Sequence, residues 1–282
     1  MGHDKLRKFE ENKHFRCLQQ PSADEVLVRG GEGLQLRDHP LKGRWNAEVF
    51  GADKPIVLEL GCGKGEYTLA LAERHPECHF IGVDIKGARL WKGAKTATEK
   101  ALPNVAFLRT RIEFISAFFA PGEVSEIWLT FSDPQLKSEN SRLTSPLFLE
   151  RYRRFLRPEG RIHLKTDSRF LYEYSLAVAQ ENGFPVYARS TDLYGTGLGD
   201  PAAAAVPGIS DAPEELFTVR TFYEQMFLDM GLPITYLCFG LDHDAPYRRP
   251  DFDADYWRAQ EGPRRSFSHA PAKRGPSNVA DK

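Results

Sequence analysis

The chain has 282 residues, of which 41% are hydrophobic, and its formal net charge at pH 7 is −1. This length is enough for one large domain with appendages, and the near-neutral charge excludes a general attraction to nucleic acid, so any such binding needs local patches. No apolar run approaches the roughly 20 residues that cross a bilayer, and the four cysteines form no C-x-x-C pair typical of structural zinc sites. We therefore expect a cytoplasmic protein with neither membrane nor metal among its partners.

The N-terminal segment, residues 1–54, is predicted to be a basic arm followed by a lead-in to the core. Residues 1–20 are basic and polar, with Phe9 and Phe15 interleaved. Such a stretch is either a frayed terminus or an arm that orders on a polyanion. The sequence alone leaves both interpretations open.

From residue 56 onward, apolar strand-like runs alternate with helix-like segments. The predicted strands are 56–60, 79–84, 105–108, 125–131, 161–166, 185–189 and 234–239. The predicted helices are 64–75, 86–101, a short one near 112–118, 146–156 and 168–182. Strands separated by helices of this length predict an α/β domain over residues 55–241, with a doubly wound, mostly parallel sheet of seven strands.

Two segments interrupt or follow this alternation. Residues 195–214 are rich in Gly, Ala and Pro, which predicts a flexible surface loop. Residues 242–282 are polar and rich in Asp, Arg and Pro without periodicity, which predicts a disordered tail.

The turn after the first predicted strand indicates a nucleoside cofactor. The strand ends in glycines at alternate positions, Gly61, Gly63 and Gly65. Glycines allow the backbone to approach a ligand closely. Asp84 ends the second strand, where a carboxylate can bind the hydroxyls of a ribose.

The spacing of this turn and the acid before it help to choose the nucleoside. A dinucleotide-binding turn usually has the spacing G-x-G-x-x-G and faces a pyrophosphate, whereas here the spacing is G-x-G-x-G and Glu59 stands two residues before the first glycine. An anion at this place repels a pyrophosphate but attracts a cationic ligand such as S-adenosylmethionine. The pattern resembles that of the class I methyltransferases and favours S-adenosylmethionine, with a nicotinamide dinucleotide as the alternative.

Two further acids follow strands of the predicted sheet. Asp133 comes just after the fourth strand and Asp167 just after the fifth. Ligands of such sheets bind beyond the carboxyl ends of the strands, so both acids are predicted to face the crevice of the glycine turn. For Asp133, the alternative is an ordinary Asp-Pro turn.

A local excess of positive charge lies downstream of Asp133. Between residues 137 and 165 there are eight Lys and Arg residues against three Glu residues, as a phosphate backbone would require. Lys137 and Arg142 are the predicted contacts because they lie nearest to Asp133, whereas residues 151–157 are equally compatible with a solvated helix face.

A pair of polar residues precedes the last predicted strand. Thr221 and Glu224 are three residues apart, a spacing typical of a helix capping box. Because the last strand of such sheets lies near the substrate, the alternative is that this segment closes over the methyl acceptor.

Taken together, the motifs resemble those of the bacterial tRNA (guanine-N7-)-methyltransferases over about residues 55–240. The matching stretches are Glu59–Gly65, Phe131–Gln135 with Lys137, Arg142–Leu143, His163–Asp167 and Thr221–Glu224. The resemblance implies an enzyme that methylates N7 of a guanine in tRNA, in the variable loop, with S-adenosylmethionine as donor.

The resemblance also implies roles for single residues. The cofactor would be held by Glu59, Asp84, the glycine turn (Gly61, Gly63 and Gly65) and Asp133, which would also be the active-site acid. Lys137, Asp167 and the segment 221–224 would contact the tRNA guanine or its neighbours.

The chain departs from the family pattern at three places. Ser132 and Gln135 stand where the family usually has proline and tryptophan, and the basic run that follows is thinned. Arg111 stands where members generally carry an acid near the adenine, with Glu113 two residues on, so we assign an adenine contact to neither. With a thinned basic run, binding of tRNA would depend more on the N-terminal arm and on the surface 151–165.

Two other functions stay open at this point. One is a class I methyltransferase that acts on a protein or a small molecule. The other is a non-catalytic scaffold that binds an RNA or a protein partner, which the changes at Arg111, Ser132 and Gln135 leave open. Whether the protein is a monomer or a homodimer is also left open.

Overall fold

The alternating apolar runs of the sequence form one large sheet with helices on both faces. The computed structural model describes residues 2–31, 33–195 and 213–261. Most of the predicted surface loop, 196–212, and the end of the predicted tail, 262–282, lie outside the described residues.

The described residues contain ten strands. They are β1 Leu18–Gln19, β2 Leu27–Gly30, β3 Gly33–Leu36, β4 Ile56–Leu60, β5 His79–Asp84, β6 Val105–Arg109, β7 Val124–Thr130, β8 Leu156–Thr166, β9 Val186–Ser190 and β10 Thr235–Phe239. β2 and β3 form a separate antiparallel hairpin.

The helices of the described residues are α1 Gly2–Asn12, α2 Ala23–Val26, α3 Glu66–Arg74, α4 Gly87–Glu99, α5 Pro146–Arg153, α6 Arg169–Glu181, α7 Glu215–Thr218, α8 Phe222–Asp229 and α9 Ala254–Gln260. A π-helical turn covers Asn46–Phe50, and 3₁₀ turns cover Ile112–Ala117 and Glu139–Ser141. None of these helices is long and apolar enough to span a bilayer.

The main sheet has the strand order β1-β6-β5-β4-β7-β8-β10-β9. All neighbours pair in parallel except β10, which is antiparallel to β8 and β9. The doubly wound, mostly parallel α/β sheet is therefore confirmed, but it has eight strands rather than seven. The extra strand, β1, has only two residues, too few for an alternating pattern to be detected in the sequence.

The central strand β4 is covered by helices on both faces of the sheet. All five of its residues are buried, as expected for a parallel strand packed on both sides. Leu58 belongs to a core cluster with residues of α5 and α6, and Val57 to a second cluster with residues of α3 and α4. The chain order reverses at β4, with β5 on one side and β7 on the other, so a ligand crevice is expected beyond the carboxyl ends of these three strands.

Two predicted elements differ in detail from the structure. The predicted helix near 112–118 is a 3₁₀ helix. The fifth predicted strand begins at Leu156 instead of residue 161, because Leu156 pairs with Val124 of β7 across a register shift.

The N-terminal arm is a helix docked on α4. Asn12 Nδ2 donates to the Gly87 carbonyl at 2.9 Å, and Trp91 Nε1 donates to Glu11 Oε2 at 2.6 Å. These two contacts hold α1 against α4.

The stretch 242–261 is ordered where the sequence predicts a disordered tail. Tyr247 and Phe252 pack against the core cluster that contains α5 and α6. The Glu261 carboxylate accepts hydrogen bonds from Ser168 Oγ at 2.7 Å and from the Phe170 amide at 2.5 Å. Isolated aromatic residues in a polar stretch are enough to dock it, although they produce no periodic pattern.

Candidate active site

The glycine turn joins β4 to α3 and faces the crevice. Gly61, Gly63 and Gly65 all have left-handed φ values, of 82°, 58° and 73°, which glycine adopts without a steric penalty. At Gly65 a side chain is excluded for a second reason, since a Cβ atom would lie 2.5 Å from Cε1 of Phe107. At Gly61 and Gly63 a Cβ atom would meet no atom within 4 Å, so there is open space in front of these two glycines.

Asp84 connects the glycine turn to the start of α4. Its Oδ2 accepts from the Gly63 amide at 3.0 Å and its Oδ1 from the Lys86 amide at 2.7 Å. The carboxylate is thereby fixed at the tip of β5. With Gly61 and Asp133 it forms part of the wall of a cavity of about 760 Å³.

Glu59 is buried directly below the glycine turn. Its Oε2 accepts hydrogen bonds from the amide and the hydroxyl of Thr68, and its Oε1 accepts from the Thr130 hydroxyl. Burial raises the pKa of Glu59 to about 7, against the opposing effect of these hydrogen bonds. A cation bound nearby would favour the ionised carboxylate.

Glu59 also contributes to a second, smaller cavity beside the first. This cavity of about 80 Å³ is lined by Gly61, Gly63, Thr221 and Phe222 as well. Because Gly61 borders both cavities, the two are adjacent, and every predicted cofactor residue except Gly65 lines one or both of them.

Asp133 lies on a strained loop after β7. Phe131 and Gln135 have left-handed φ values of 51° and 48°, which are unfavourable for residues other than glycine and often mark functional sites. Asp133 Oδ1 accepts from the Gln135 amide at 2.9 Å, and the Phe131 amide donates to the Lys165 carbonyl at 2.8 Å. These bonds hold an exposed carboxylate at the rim of the large cavity.

Lys137 and Arg142, the two predicted RNA contacts of this loop, have different environments. Lys137 is exposed. Arg142 is buried, its guanidinium donates to the carbonyls of Gln135 and Leu136, both at 3.3 Å, and it packs on the Phe170 and Tyr174 rings. The structure therefore places Arg142 beneath the loop, where it supports the backbone of Gln135 and Leu136 instead of facing solvent.

Thr221 and Glu224 also have separate environments. Thr221 caps α8, since its Oγ1 accepts from the Glu224 amide at 3.2 Å. The Glu224 side chain does not complete a capping box. It is fully buried and forms an ion pair with Lys165 Nζ at 2.7 Å.

Lys165 is the centre of a buried polar cluster that the sequence analysis assigns to a basic surface, which is wrong for this residue. Besides Glu224, its Nζ donates to the Leu216 carbonyl at 2.7 Å, the Val219 carbonyl at 3.2 Å and the Tyr194 hydroxyl at 3.2 Å. Burial lowers the pKa of Lys165, which the ion pair with Glu224 opposes. The cluster attaches both flanks of the segment 196–212 to the end of β8.

The start of α8 covers the glycine turn. The Phe222 amide donates to Glu66 Oε2 at 2.9 Å, and Lys64 Nζ lies 5.2 Å from the centre of the Phe222 ring. The Lys165 cluster and the Glu66 contact therefore fix Thr221 and Phe222 in the wall of the smaller cavity.

Comparison with known proteins shows the family of the chain. Residues 53–194 match a family model described as "Putative methyltransferase". A tRNA (guanine-N(7)-)-methyltransferase of Porphyromonas gingivalis is 50% identical over 230 residues, covering 80% of this chain and 89% of that protein. Proteins of the same name from Bacteroides thetaiotaomicron and Christiangramia forsetii are 44% and 46% identical, covering 94% and 84% of this chain and 98% and 97% of their own.

The chain belongs to the tRNA (guanine-N(7)-)-methyltransferase family. This confirms the resemblance drawn from the motifs. Among solved structures, the 16S rRNA methyltransferase KamB is a distant match, with a TM-score of 0.46 and 16% identity over 77% of this chain and 99% of that chain.

In this member of the tRNA (guanine-N(7)-)-methyltransferase family, an ion pair between Arg111 and Glu113 stands at the rim of the large cavity, where the family pattern predicts an acid near the adenine. Arg111 donates to Glu113 Oε1 at 2.9 Å, and both residues line the cavity. The remaining predicted contact, Asp167, is half-buried after β8 and does not contribute to either cavity as far as the described residues define them.

Several residues that hold the site together were not predicted from the sequence. Thr68 and Thr130 bind Glu59, Glu66 binds α8, and Lys165 binds Glu224. Only the position of Lys165, two residues before Asp167 on a buried strand, could have suggested a buried lysine. Within the described residues, no group of His, Cys, Asp and Glu side chains is arranged to hold a metal ion.

Proposed function

We propose that the protein transfers the methyl group of S-adenosylmethionine to N7 of a guanine in tRNA, in the variable loop, and that it does so in the cytoplasm. The observation that carries this proposal is the meeting of Gly61, Asp84 and Asp133 at one cavity in a member of this family. Here the acid suited to a ribose and the exposed acid of the β7 loop border the same space.

The residues around the glycine turn fit S-adenosylmethionine. The open space in front of Gly61 and Gly63 allows close approach of a ligand. Asp84 offers a fixed carboxylate for ribose hydroxyls, and Glu59 supplies a buried negative charge when it is ionised. When bound, S-adenosylmethionine supplies an electrophilic methyl group on a sulfonium.

For this reaction the protein needs only to align the two substrates and to stabilise the positive charge that forms. Guanine N7 has an in-plane lone pair and carries no proton at neutral pH, so no general base is required before attack. Positioning of this kind can contribute several kcal/mol. Because methylation leaves positive charge on the purine, the Asp133 carboxylate can stabilise that charge or accept hydrogen bonds from N1 and N2 of guanine.

For the remaining predicted contacts we propose two kinds of role. Lys137, Asp167 and Thr221 would contact the RNA or the guanine directly. Arg142 and Glu224 would act through their neighbours, because one supports the Asp133 loop from below and the other anchors α8.

The test is methyl transfer to an unmodified tRNA transcript, with labelled S-adenosylmethionine. After nuclease digestion, the label should be found in 7-methylguanosine, and a transcript with adenosine in place of the target guanosine should stay unlabelled. Label in a protein or small molecule, or in another nucleoside, would contradict the proposal. A calorimetric titration that shows no heat with S-adenosylmethionine would point to a non-catalytic scaffold.

A further inference from the structure

A band of four cations crosses the protein beside the candidate active site. It consists of Lys64 on the glycine turn and of Lys86, Arg89 and Lys92 at the start of α4 and within it, and all four are exposed. We refer to these residues as the α4 band. Because the net charge of the whole chain is −1, four unpaired positive charges close together form a distinct basic surface.

The α4 band is continuous with the candidate active site. Arg89 borders the large cavity of Asp84 and Asp133 and also the smaller cavity of Glu59. Together with Lys64 and Lys92, it borders a third space of about 540 Å³, which is lined by residues of α1, α3 and α4. A ligand that reaches from Asp133 across Arg89 would therefore pass along the band.

The cations of the band are free to bind a partner. None of them forms an ion pair with another described residue, whereas the next two lysines along the chain do, Lys95 with Glu99 and Lys100 with Glu73. The acid in the wall of the third space, Glu66, accepts a hydrogen bond from the Phe222 amide.

Only part of the basic surface predicted within residues 137–165 lacks partners: Lys137, Arg154, Arg157 and Arg161 are exposed and form no ion pair with a described residue, whereas Arg142 is buried. Arg153 pairs with Glu150 and donates to the carbonyls of His243 and Ala245, and Lys165 is buried. The α4 band therefore adds unpaired positive charge to that of residues 137–161, and its members Lys86 and Arg89 line the large cavity.

Aromatic residues next to the band suit RNA better than a small anion. Phe222 and Tyr223 are 59% and 38% exposed, and Phe222 lies over Lys64. On the other side, Trp91 holds α1 against α4 and so brings Lys8 to the third space. Cations interleaved with exposed rings are typical of surfaces that bind RNA with unstacked bases.

We propose that the α4 band binds the phosphodiester backbone of the tRNA that flanks the methylated guanine. The inference depends on the proposed function for its substrate but makes a separate claim about which surface holds it. The competing assignment is that the same cations bind the carboxylate of the cofactor, and the test separates the two.

The decisive variant is Lys86→Ala/Lys92→Ala, because these two side chains make no hydrogen bond or ion pair within the described residues. Since Lys86 lines the large cavity and Lys92 does not, Lys92→Ala is also measured alone, and it should show about half of the change in slope. The matched control is Lys95→Ala/Lys100→Ala, which removes two equal charges from the same region. For each protein, the affinity for unmodified tRNA is measured between 50 and 200 mM salt, with the steady-state constants for methyl transfer and the calorimetric affinity for S-adenosylmethionine.

Loss of two phosphate contacts should reduce the slope of log affinity against log salt by about 1.4–1.8. Over a fourfold change in salt, the ratio of wild-type to variant affinity should then change by about tenfold. KM for tRNA should rise, while kcat and the affinity for S-adenosylmethionine should stay unchanged. The control should keep the wild-type slope.

An unchanged slope in the Lys86→Ala/Lys92→Ala variant would overturn the inference, and so would an equal loss in the control. Loss of cofactor affinity without a change in slope would assign the band to the cofactor. Failure of the proposed function is a different result, since the wild-type protein would then form no 7-methylguanosine whatever the slopes are.

Discussion

Replacement of Lys165 by methionine should destabilise the protein and weaken cofactor binding together. Methionine has a similar length but cannot donate hydrogen bonds. In the variant, the fully buried carboxylate of Glu224 would lose its cation, and the carbonyls of Leu216 and Val219 would lose a donor.

The expected magnitude follows from the burial of the pair. Removal of one partner of a buried ion pair typically costs about 3–5 kcal/mol, because a charge is left uncompensated in a medium of low polarity. This is a large part of the roughly 5–15 kcal/mol that stabilises a typical protein. In a protein of this size, it should lower Tm by about 10 °C.

The assay is urea unfolding at pH 7.5, combined with calorimetric titration of S-adenosylmethionine. Binding should weaken because Thr221 and Phe222, which line the smaller cavity, are held by the same cluster. A second variant, Lys165→Met/Glu224→Gln, removes the orphaned charge and should recover more than 1 kcal/mol of the loss.

Two results would refute this reasoning. One is a Lys165→Met protein within about 1 kcal/mol of wild type, which would mean that the pair contributes as little as a surface ion pair. The other is a double variant that is no more stable than Lys165→Met, which would mean that the unpaired Glu224 charge is not the source of the loss.

Three further predictions concern the site itself. Asp133→Asn should lower kcat by about 10²–10³-fold in steady-state assays and leave calorimetric affinity for S-adenosylmethionine nearly unchanged, whereas an equal loss of affinity would make Asp133 a cofactor ligand. Burial raises the pKa of Glu59 to about 7, so between pH 4.5 and 7 the folded protein holds a proton that the unfolded chain releases. The stability that this proton contributes, at most about 3 kcal/mol, is lost as pH rises from 4.5 to 7. In urea unfolding at several pH values, Glu59→Gln should not show this loss, and the same pH dependence in both proteins would contradict the prediction. Gly65→Ala should cost more than Gly122→Ala in the same measurement, by about 1–3 kcal/mol, because both have a left-handed φ but only the first would place a Cβ atom against Phe107; equal losses would refute the role of that contact.

The strand pattern was predictable because buried parallel strands are mostly apolar. In β4, β5 and β7, runs of Ile, Val and Leu mark the strands, and polar residues at their ends mark the crevice. For this reason the glycine turn, Asp84 and Asp133 could be placed at the carboxyl ends of β4, β5 and β7, where the structure has them. The two-residue edge strand β1 and the aperiodic segment 242–261 have no such pattern. They are ordered by contacts with residues distant in sequence, which the sequence does not reveal.

The environments of the charged residues were not predictable from spacing. Glu59, Asp133 and Glu224 are all carboxylates near strand or helix ends, yet one is buried among threonines, one is exposed and one is paired with a buried lysine. The two buried carboxylates depend on partners at least nine residues away, Thr68 for Glu59 and Lys165 for Glu224, whereas Asp133 accepts from the Gln135 amide two residues on.

The two basic clusters of the sequence differ for the same reason. The density of Arg and Lys in residues 137–165 exceeds that of most of the chain, but Arg142 and Lys165 turn inward and Arg153 pairs with Glu150. The α4 band is less conspicuous because its residues are three or more apart and are interrupted by helix core positions. Helical spacing brings Arg89 and Lys92 onto one face, and the strand–turn–helix connection adds Lys64. Whether positive charge is available to RNA therefore depends on which cations lack internal partners, and the α4 band provides such cations next to the large cavity in addition to the exposed Lys137, Arg154, Arg157 and Arg161.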